Sequence, residues 1–537
     1  MNLKFLLTAS AIPLAWLSTP ALAQHSGSMS GMTMPGMTMP APKPAAKKPA
    51  VKKKAAKKTA PAKHAATPRP SAKTAASRPS PADPTQVAAP PGEAVDHSVM
   101  DHGAMVMPEE PVATPAPDAP AAVDHSHMDH SPPVGGGAEQ PGMAGMDHAG
   151  HSAMTAVLGR YPMTREASGT AWQPDTSEHA GLMRQAGGWT LMGHGVLNLV
   201  GDHQSSRRGD DKAFVSGMVM GMAQRPIGNG TLQFRAMVSP DPLMGKSGYP
   251  LLLASGETAN GRDRLIDRQH PHDFFMELSG SLSQNFSPTG SVFLYAGLPG
   301  EPAFGPPAFM HREAILDSPE APITHHWLDS THISFGVVTG GFVLDRVKLE
   351  VSRFNGREPD QRRWNIETGP LDSTAVRVSW NPTPELALQG SWGKFIDPEQ
   401  LEPGVDQKRW SASALYAREL GTDFKFAATL AWGRKSAEHH SDDAFALEAS
   451  LKHRGWTLFG RGELAENREL TEGDVHGPAY QVGKVSLGTV RDFSIADHLS
   501  LGIGGLFAVN FVPNGLAPFY GERHPTGTMG FLRLKVD

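Results

Sequence analysis

No cysteine occurs in the 537 residues of this chain. That absence excludes a disulfide scaffold, a thiolate zinc site, an iron–sulfur cluster, a blue-copper centre and a thiol nucleophile. Charge is sparse, at 19% of residues, and nearly balanced. The 49 Lys and Arg face 54 Asp and Glu, for a net charge of -5. The balance gives no overall signature of a nucleic-acid or polyanion partner. Beyond the N-terminus no apolar run approaches the roughly 18 residues that a membrane helix needs. If this chain spans a membrane it must do so as a closed β-barrel, the other architecture that satisfies every backbone polar group in lipid.

The chain opens with a secretory signal over residues 1–23. Lys4 supplies the positive start, Phe5 to Leu17 the short apolar core, and Ala21-Leu22-Ala23 a small-x-small cleavage site. Residues 24–155 then lack the apolar content to repay the entropy of ordering a core, and are expected to be disordered. The stretch has three parts. Met29, Met32, Met34, Met37 and Met39 crowd one short segment among Gly, Ser, Thr and Pro. Residues 41–80 carry ten Lys, two Arg and no acid. Residues 95–151 repeat a theme: Asp96-His97-Ser98-Val99-Met100-Asp101-His102, then Asp124-His125-Ser126-His127-Met128-Asp129-His130, then a remnant at Met146-Asp147-His148.

A thioether is a soft ligand that selects Cu(I), whereas imidazole and carboxylate suit Cu(II). One tract bearing both can hold copper in either state, so the leader is expected to bind copper ions. A cysteine-free chain fits that task, because copper in an oxidising compartment attacks thiols. The Lys block reads first as a solvated, self-repelling spacer. Its second reading is adhesion to an anionic periplasmic surface such as peptidoglycan or lipopolysaccharide.

Residues 156–188 are expected to be a connector. From Trp189 the pattern changes to period two. Val347, Leu349 and Val351 alternate with Arg346, Lys348, Glu350 and Ser352, and Phe445, Leu447 and Ala449 with Ala446, Glu448 and Ser450. Phe274, Met276, Leu278 and Leu282 likewise form one apolar face against Asp273, Glu277, Ser279 and Ser281. One face apolar and one polar suits a membrane barrel with a wet lumen. Connections alternate between short ones, such as Asn381 to Glu385, and long ones at 239–272, 298–330 and 355–372. That is the habit of outer-membrane barrels. The fold class expected is therefore all-β: a transmembrane antiparallel barrel over 189–537, with about 16 strands in a range of 14–18. An even count places both termini, and the leader, in the periplasm.

Histidines of the body gather at the edges of two long connections: His270 and His272 with Asp273, His311, then His325, His326 and His332. Spatial convergence of these segments at the outer mouth would offer nitrogen and oxygen ligands to a divalent or cupric ion, with Asp273 or Asp329 as ligand or ring-orienting partner. The competing reading is loop bracing by hydrogen bonds. Met218, Met220 and Met222 share one face of one strand. They are expected to face lipid as apolar cover; facing inward, near Met192 and His194, they would form a soft-metal track.

The signal peptide, the Met-Gly-Met and Asp-His-Ser-x-Met-Asp-His leader and the C-terminal barrel together resemble outer-membrane copper-resistance protein B. The motifs Asp267-Arg268-Gln269-His270-Pro271-His272-Asp273 and Ala321-Pro322-Ile323-Thr324-His325-His326-Trp327-Leu328-Asp329-Ser330-Thr331-His332 resemble poorly characterised barrels of metal-resistance gene clusters. The resemblance implies a non-enzymatic copper-tolerance component of the outer membrane. Its expected partners are outer-membrane lipid, copper and periplasmic copper proteins, with no nucleic acid. Two alternatives stand beside it: a general porin-like channel with a periplasmic tether, and an outer-membrane hydrolase. The chain lacks a Gly-x-Ser-x-Gly elbow for the latter.

Overall fold

The computed structural model describes residues 154–178, 181–471 and 477–537. The expected signal peptide and the Met/Lys/His-rich leader up to residue 153 lie outside the described residues. Nineteen strands follow in order among those described: β1 (Leu182–Ala186), β2 (Trp189–Gln204), β3 (Asp211–Ile227), β4 (Gly230–Val238), β5 (Tyr249–Thr258), β6 (Arg264–Gln269), β7 (Phe275–Asn285), β8 (Gly290–Gly297), β9 (Val337–Leu344), β10 (Val347–Phe354), β11 (Ser373–Thr383), β12 (Leu386–Phe395), β13 (Gln407–Leu420), β14 (Phe424–Ala437), β15 (His440–His453), β16 (Trp456–Asn467), β17 (Tyr480–Ala496), β18 (Leu499–Phe511) and β19 (Thr526–Val536). Sixteen of them, β2–β4 and β7–β19, close into one antiparallel barrel; β19 pairs with β2 and completes the ring. β1 forms a hairpin on the start of β2, and β5 with β6 forms a separate hairpin.

Alternation determines which side chains face where. Leu199, Val219, Leu294, Val351, Leu447, Leu487 and Ile503 point outward and stay exposed, as a lipid-facing surface requires. Exposed Trp380, Phe424, Trp456 and Phe493 lie near the tight turns, where an aromatic girdle belongs. One end carries only short turns, among them Arg454-Gly455, whose φ values of 47° and 79° match the strand-compatible two-residue turn. The other end carries the long connections, except that β14 and β15 are joined by two residues alone. The even strand number puts Trp189 and Asp537 at the short-turn end.

The polar inner face does not meet a wet channel, as the sequence pattern alone suggested. Lys348, Glu350, Glu448 and Lys484 point inward and are at most 1% exposed, because two long connections and the stretch 154–178 fold into the barrel. The 298–336 connection is anchored by Arg312, which donates to both oxygens of Glu448 at 2.7 Å and to Asp329 at 2.5 Å. Thr324 donates to Glu463, and Arg461 to the carbonyl of Ala321. The β5–β6 hairpin brings Leu251, Leu252 and Leu253 into the core, with Tyr249 stacked on Phe214 at 4.6 Å.

Within the 156–188 connector, Ala156, Val157, Leu158 and Trp172 pack on inward-facing Phe293 and Val343. Arg377 donates to the Thr170 hydroxyl and Asn381 to the Gln173 carbonyl. This segment closes the short-turn end: Arg160 reaches Asn229 and Arg165 reaches the Asp345 carbonyl, both at tight turns.

Two expected facings change. A register shift between Met237 and Val238 opposite β7 turns Met276 into the core, where it is fully buried, away from outward Leu282. Met218 and Met220 face the lumen and are buried rather than covering a lipid face, while Val219 between them is exposed.

Candidate functional site

Five of the six body histidines singled out from sequence form an unbroken line inside the barrel. Ring centroids lie 5.4 Å apart for His326 and His270, 5.9 Å for His270 and His325, 5.3 Å for His325 and His332, and 5.1 Å for His332 and His272. All five are buried, so the cluster sits in the packed lumen and not at an open mouth. His270 and His272 come from the chain leaving the β5–β6 hairpin. The others come from the short helix His325–Leu328 and the 3-10 turn after it.

Ring orientation is set by oxygen acceptors. Nδ1 of His272 donates to Asp241 at 2.8 Å, Nδ1 of His325 to Asp329 at 2.8 Å, Nδ1 of His326 to Glu358 at 3.3 Å, and Nδ1 of His332 to the Asp329 carbonyl at 2.7 Å. Nε2 of His270 lies 3.1 Å from Glu257. A proton held at Nδ1 leaves the Nε2 lone pair for another partner, which is how metal-binding imidazoles are oriented. The Nε2 atoms of His272, His326 and His332 are buried and make no hydrogen bond. Burial pushes the His270 and His332 pKa values well down and lowers His325 despite its Asp329 partner. These rings are therefore neutral near pH 7, as ligation requires. Burial acts on His326 too, but the Glu358 carboxylate outweighs it and raises that ring.

Of the two expected acidic partners, Asp329 orients His325 and accepts from Arg312. Asp273 is held by Arg363 at 3.0 Å. His311 turns toward His194, at 6.3 Å between rings. The lumen line is pairwise: among the described residues, the His, Asp and Glu ligand atoms that gather as a group within 4.8 Å are those of Glu399, Glu402 and Glu469. That trio is charge-compensated, since Arg264 sits 2.8 Å from Glu402 and 3.7 Å from Glu469, with Lys435 3.8 Å from Glu399.

Beside the imidazoles lies a methionine cluster that sequence reasoning only partly anticipated. Met218, Met220, Met237 and Met276 form one buried cluster with Ile333 and Phe335, and Met222 and Met310 pack against it. Pairing places His194 opposite Met220 and Met192 opposite Met222. The turn Phe309–His311 joins the two clusters. Phe309 contacts the rings of His272 and His325, and His311 faces His194. One available signal was missed: nine methionines lie between Met183 and Met310, and one, Met529, in all the chain beyond. The leader candidates Met29 to Met39 and His97 to His148 lie outside the described residues.

No protein-family model and no curated protein matches the chain. Among solved structures, OmpF of Salmonella typhi in complex with daunomycin aligns at 10% identity and a TM-score of 0.43, covering 66% of this chain and all of that one. OmpT of Vibrio cholerae, described as outer-membrane expressed, aligns at 9% identity and a TM-score of 0.39, with 66% and 100% covered.

Proposed function

We propose that the protein is an outer-membrane copper-handling barrel, which gathers copper on its periplasmic Met/His leader and holds or passes it on donors inside a packed lumen. The observation that carries the reading is the line of five buried imidazoles, four with Nδ1 held by an oxygen. Loop bracing alone explains those four hydrogen bonds. It leaves the bare, buried Nε2 atoms of His272 and His332 without a purpose, at a cost of about 1–3 kcal/mol each. The outward apolar face and the aromatic residues near the tight turns support a membrane setting. The described chain begins at residue 154, and Arg160 already lies at a short turn, the periplasmic end of such barrels. The leader's thioethers and imidazoles suit exchange with periplasmic copper proteins, and its Lys block suits an anionic periplasmic surface.

The packed lumen favours a held or relayed ion over free diffusion of solutes through a general pore. Copper tolerance and cell-associated copper in a deletion strain test the reading. Loss of the gene should change both, wild type should restore them, and His270→Ala/His325→Ala should restore them only in part. Unchanged copper tolerance and content in the deletion strain would overturn it.

A further inference from the structure

A cavity of about 130 Å³ opens on the methionine cluster. Its wall includes Met218, Met220 and Met222 of β3, Met310 of the in-lumen connection, and His194 of β2. Residues 535–537 and Glu178 border it from the short-turn end.

We propose that this cavity is a binding site for one soft monovalent ion of the Cu(I) or Ag(I) type, with the Met220 thioether and the His194 imidazole opposite it as central donors and Met310 and one β3 neighbour of Met220, either Met218 or Met222, completing the set. The inference deepens the copper-handling reading and rests on it for the identity of the natural ion.

Three observations carry the argument. First, successive inward positions on β3 are all methionine, and pairing sets His194 directly opposite the central one. Thioether and imidazole donors thus come from two adjacent rigid strands, which fix donor positions better than loops do. Second, Nε2 of His194 is buried, lies at the cavity and makes no hydrogen bond. A polar atom so placed costs free energy unless something occupies it. Methionine serving only as flexible core filler would account for the packing, but it accounts for neither the space left beside the sulfurs nor the orphaned nitrogen.

Third, the carboxylates around the cavity are already engaged. Glu178 is bound by Lys425 and Lys452 at 2.6 Å each, Asp317 by Arg533 at 2.6 Å and Asp537 by Lys535 at 2.5 Å, while Glu166 accepts from the Tyr161 hydroxyl at 3.1 Å and Glu313 from the Glu178 amide at 3.2 Å. A hard divalent cation would have to displace these partners to find oxygen ligands, whereas a soft ion needs only sulfur and nitrogen. The cavity therefore discriminates by ligand softness.

The test uses the full chain in detergent, with methionine labelled at its 13C methyl group and Ag(I) as the probe. Each methyl is read separately, so leader sites and barrel sites do not mask each other. Residue assignments come from single Met→Leu replacements. The expected result is that the methyls of Met220, its β3 neighbours and Met310 follow one common saturating curve, while Met529 stays in place. Mg(II) should shift none of them.

Met218→Leu/Met220→Leu/Met222→Leu conserves core volume. It should keep the heat-modifiable gel migration of a folded barrel and abolish saturation at Met310. His194→Ala should weaken binding tenfold or more. Shifts confined to leader methyls, with the β3 methyls unmoved, would overturn the proposal. If the β3 methyls respond to Ag(I) but deletion strains show normal copper tolerance, the site stands and the copper reading falls.

Discussion

At the scale of single residues, the lumen depends on buried charges that must all be paired. Arg312 is the clearest case, since it is fully buried and bridges Glu448 on β15 to Asp329 beside the imidazole line. Arg312→Ala strands two carboxylates in a dry interior, a loss of about 3–5 kcal/mol for a broken buried pair. It also frees Asp329, and with it the anchor of the His325 ring. Arg312→Lys restores the charge but not the two-pronged geometry. Heat-modifiable gel migration should therefore rank wild type above Arg312→Lys and Arg312→Ala lowest in the temperature at which the folded form is lost. Identical temperatures for all three would refute a structural role for this pairing.

At the scale of elements, the stretch 154–178 and the connection after β8 lock each other in place, and one acid makes the lock sensitive to pH. Glu301 is buried against Gly169, whose φ of 55° admits glycine readily and whose added Cβ would meet Glu301 at 2.6 Å. Burial, only partly offset by Arg377, pushes the Glu301 pKa up to about 7. A carboxyl raised in the folded state adds stability below its unfolded pKa of about 4.5, and that stability is lost as pH rises through 7. The effect is on the order of 3 kcal/mol. Thermal stability should thus fall between pH 5 and pH 8 in wild type, and the fall should shrink in Glu301→Gln; an unchanged slope would remove Glu301 from the account. Gly169→Ala should expose Arg160 and Arg165 to trypsin. Elements of this kind were the least legible in the sequence. Period two revealed the barrel strands and their long-short connections, because a strand between lipid and lumen must alternate. It could not give the sign of the β3 faces, since Val219 and its methionine neighbours are all apolar. Leu251, Leu252 and Leu253 hid the β5–β6 hairpin, because a strand buried on both faces does not alternate. The stretch 154–178 is held by inward side chains such as Arg377 and Asn381, whose partners no local pattern announces. The converging histidine segments were legible from composition; their order along the lumen, and the turn of His311 toward His194, depended on how the long connection folds inward.

At the scale of the whole molecule, the imidazoles and the thioethers come from different parts of the fold. The buried histidines belong to the long connections, Met218, Met220 and Met222 belong to the wall strand β3, and the described chain begins at residue 154, beside the short turns. For a leader that gathers copper in the periplasm, that placement is useful only if the short turns face the periplasm. The absence of cysteine makes orientation directly measurable, since any thiol introduced is unique. Arg362, in the connection after β10, and Thr422, in the turn after β13, are both exposed and lie at opposite ends. With a membrane-impermeant maleimide, Arg362→Cys should react on intact cells. Thr422→Cys should react only after the outer membrane is permeabilised. Thr114→Cys, between the two full histidine repeats of the leader, should behave like Thr422→Cys. Reversed labelling of the two barrel positions would invert the topology. Labelling of Thr114→Cys on intact cells, with the barrel positions as expected, would leave the fold in place but put the leader outside the cell, and capture of periplasmic copper by the leader would then have to be abandoned.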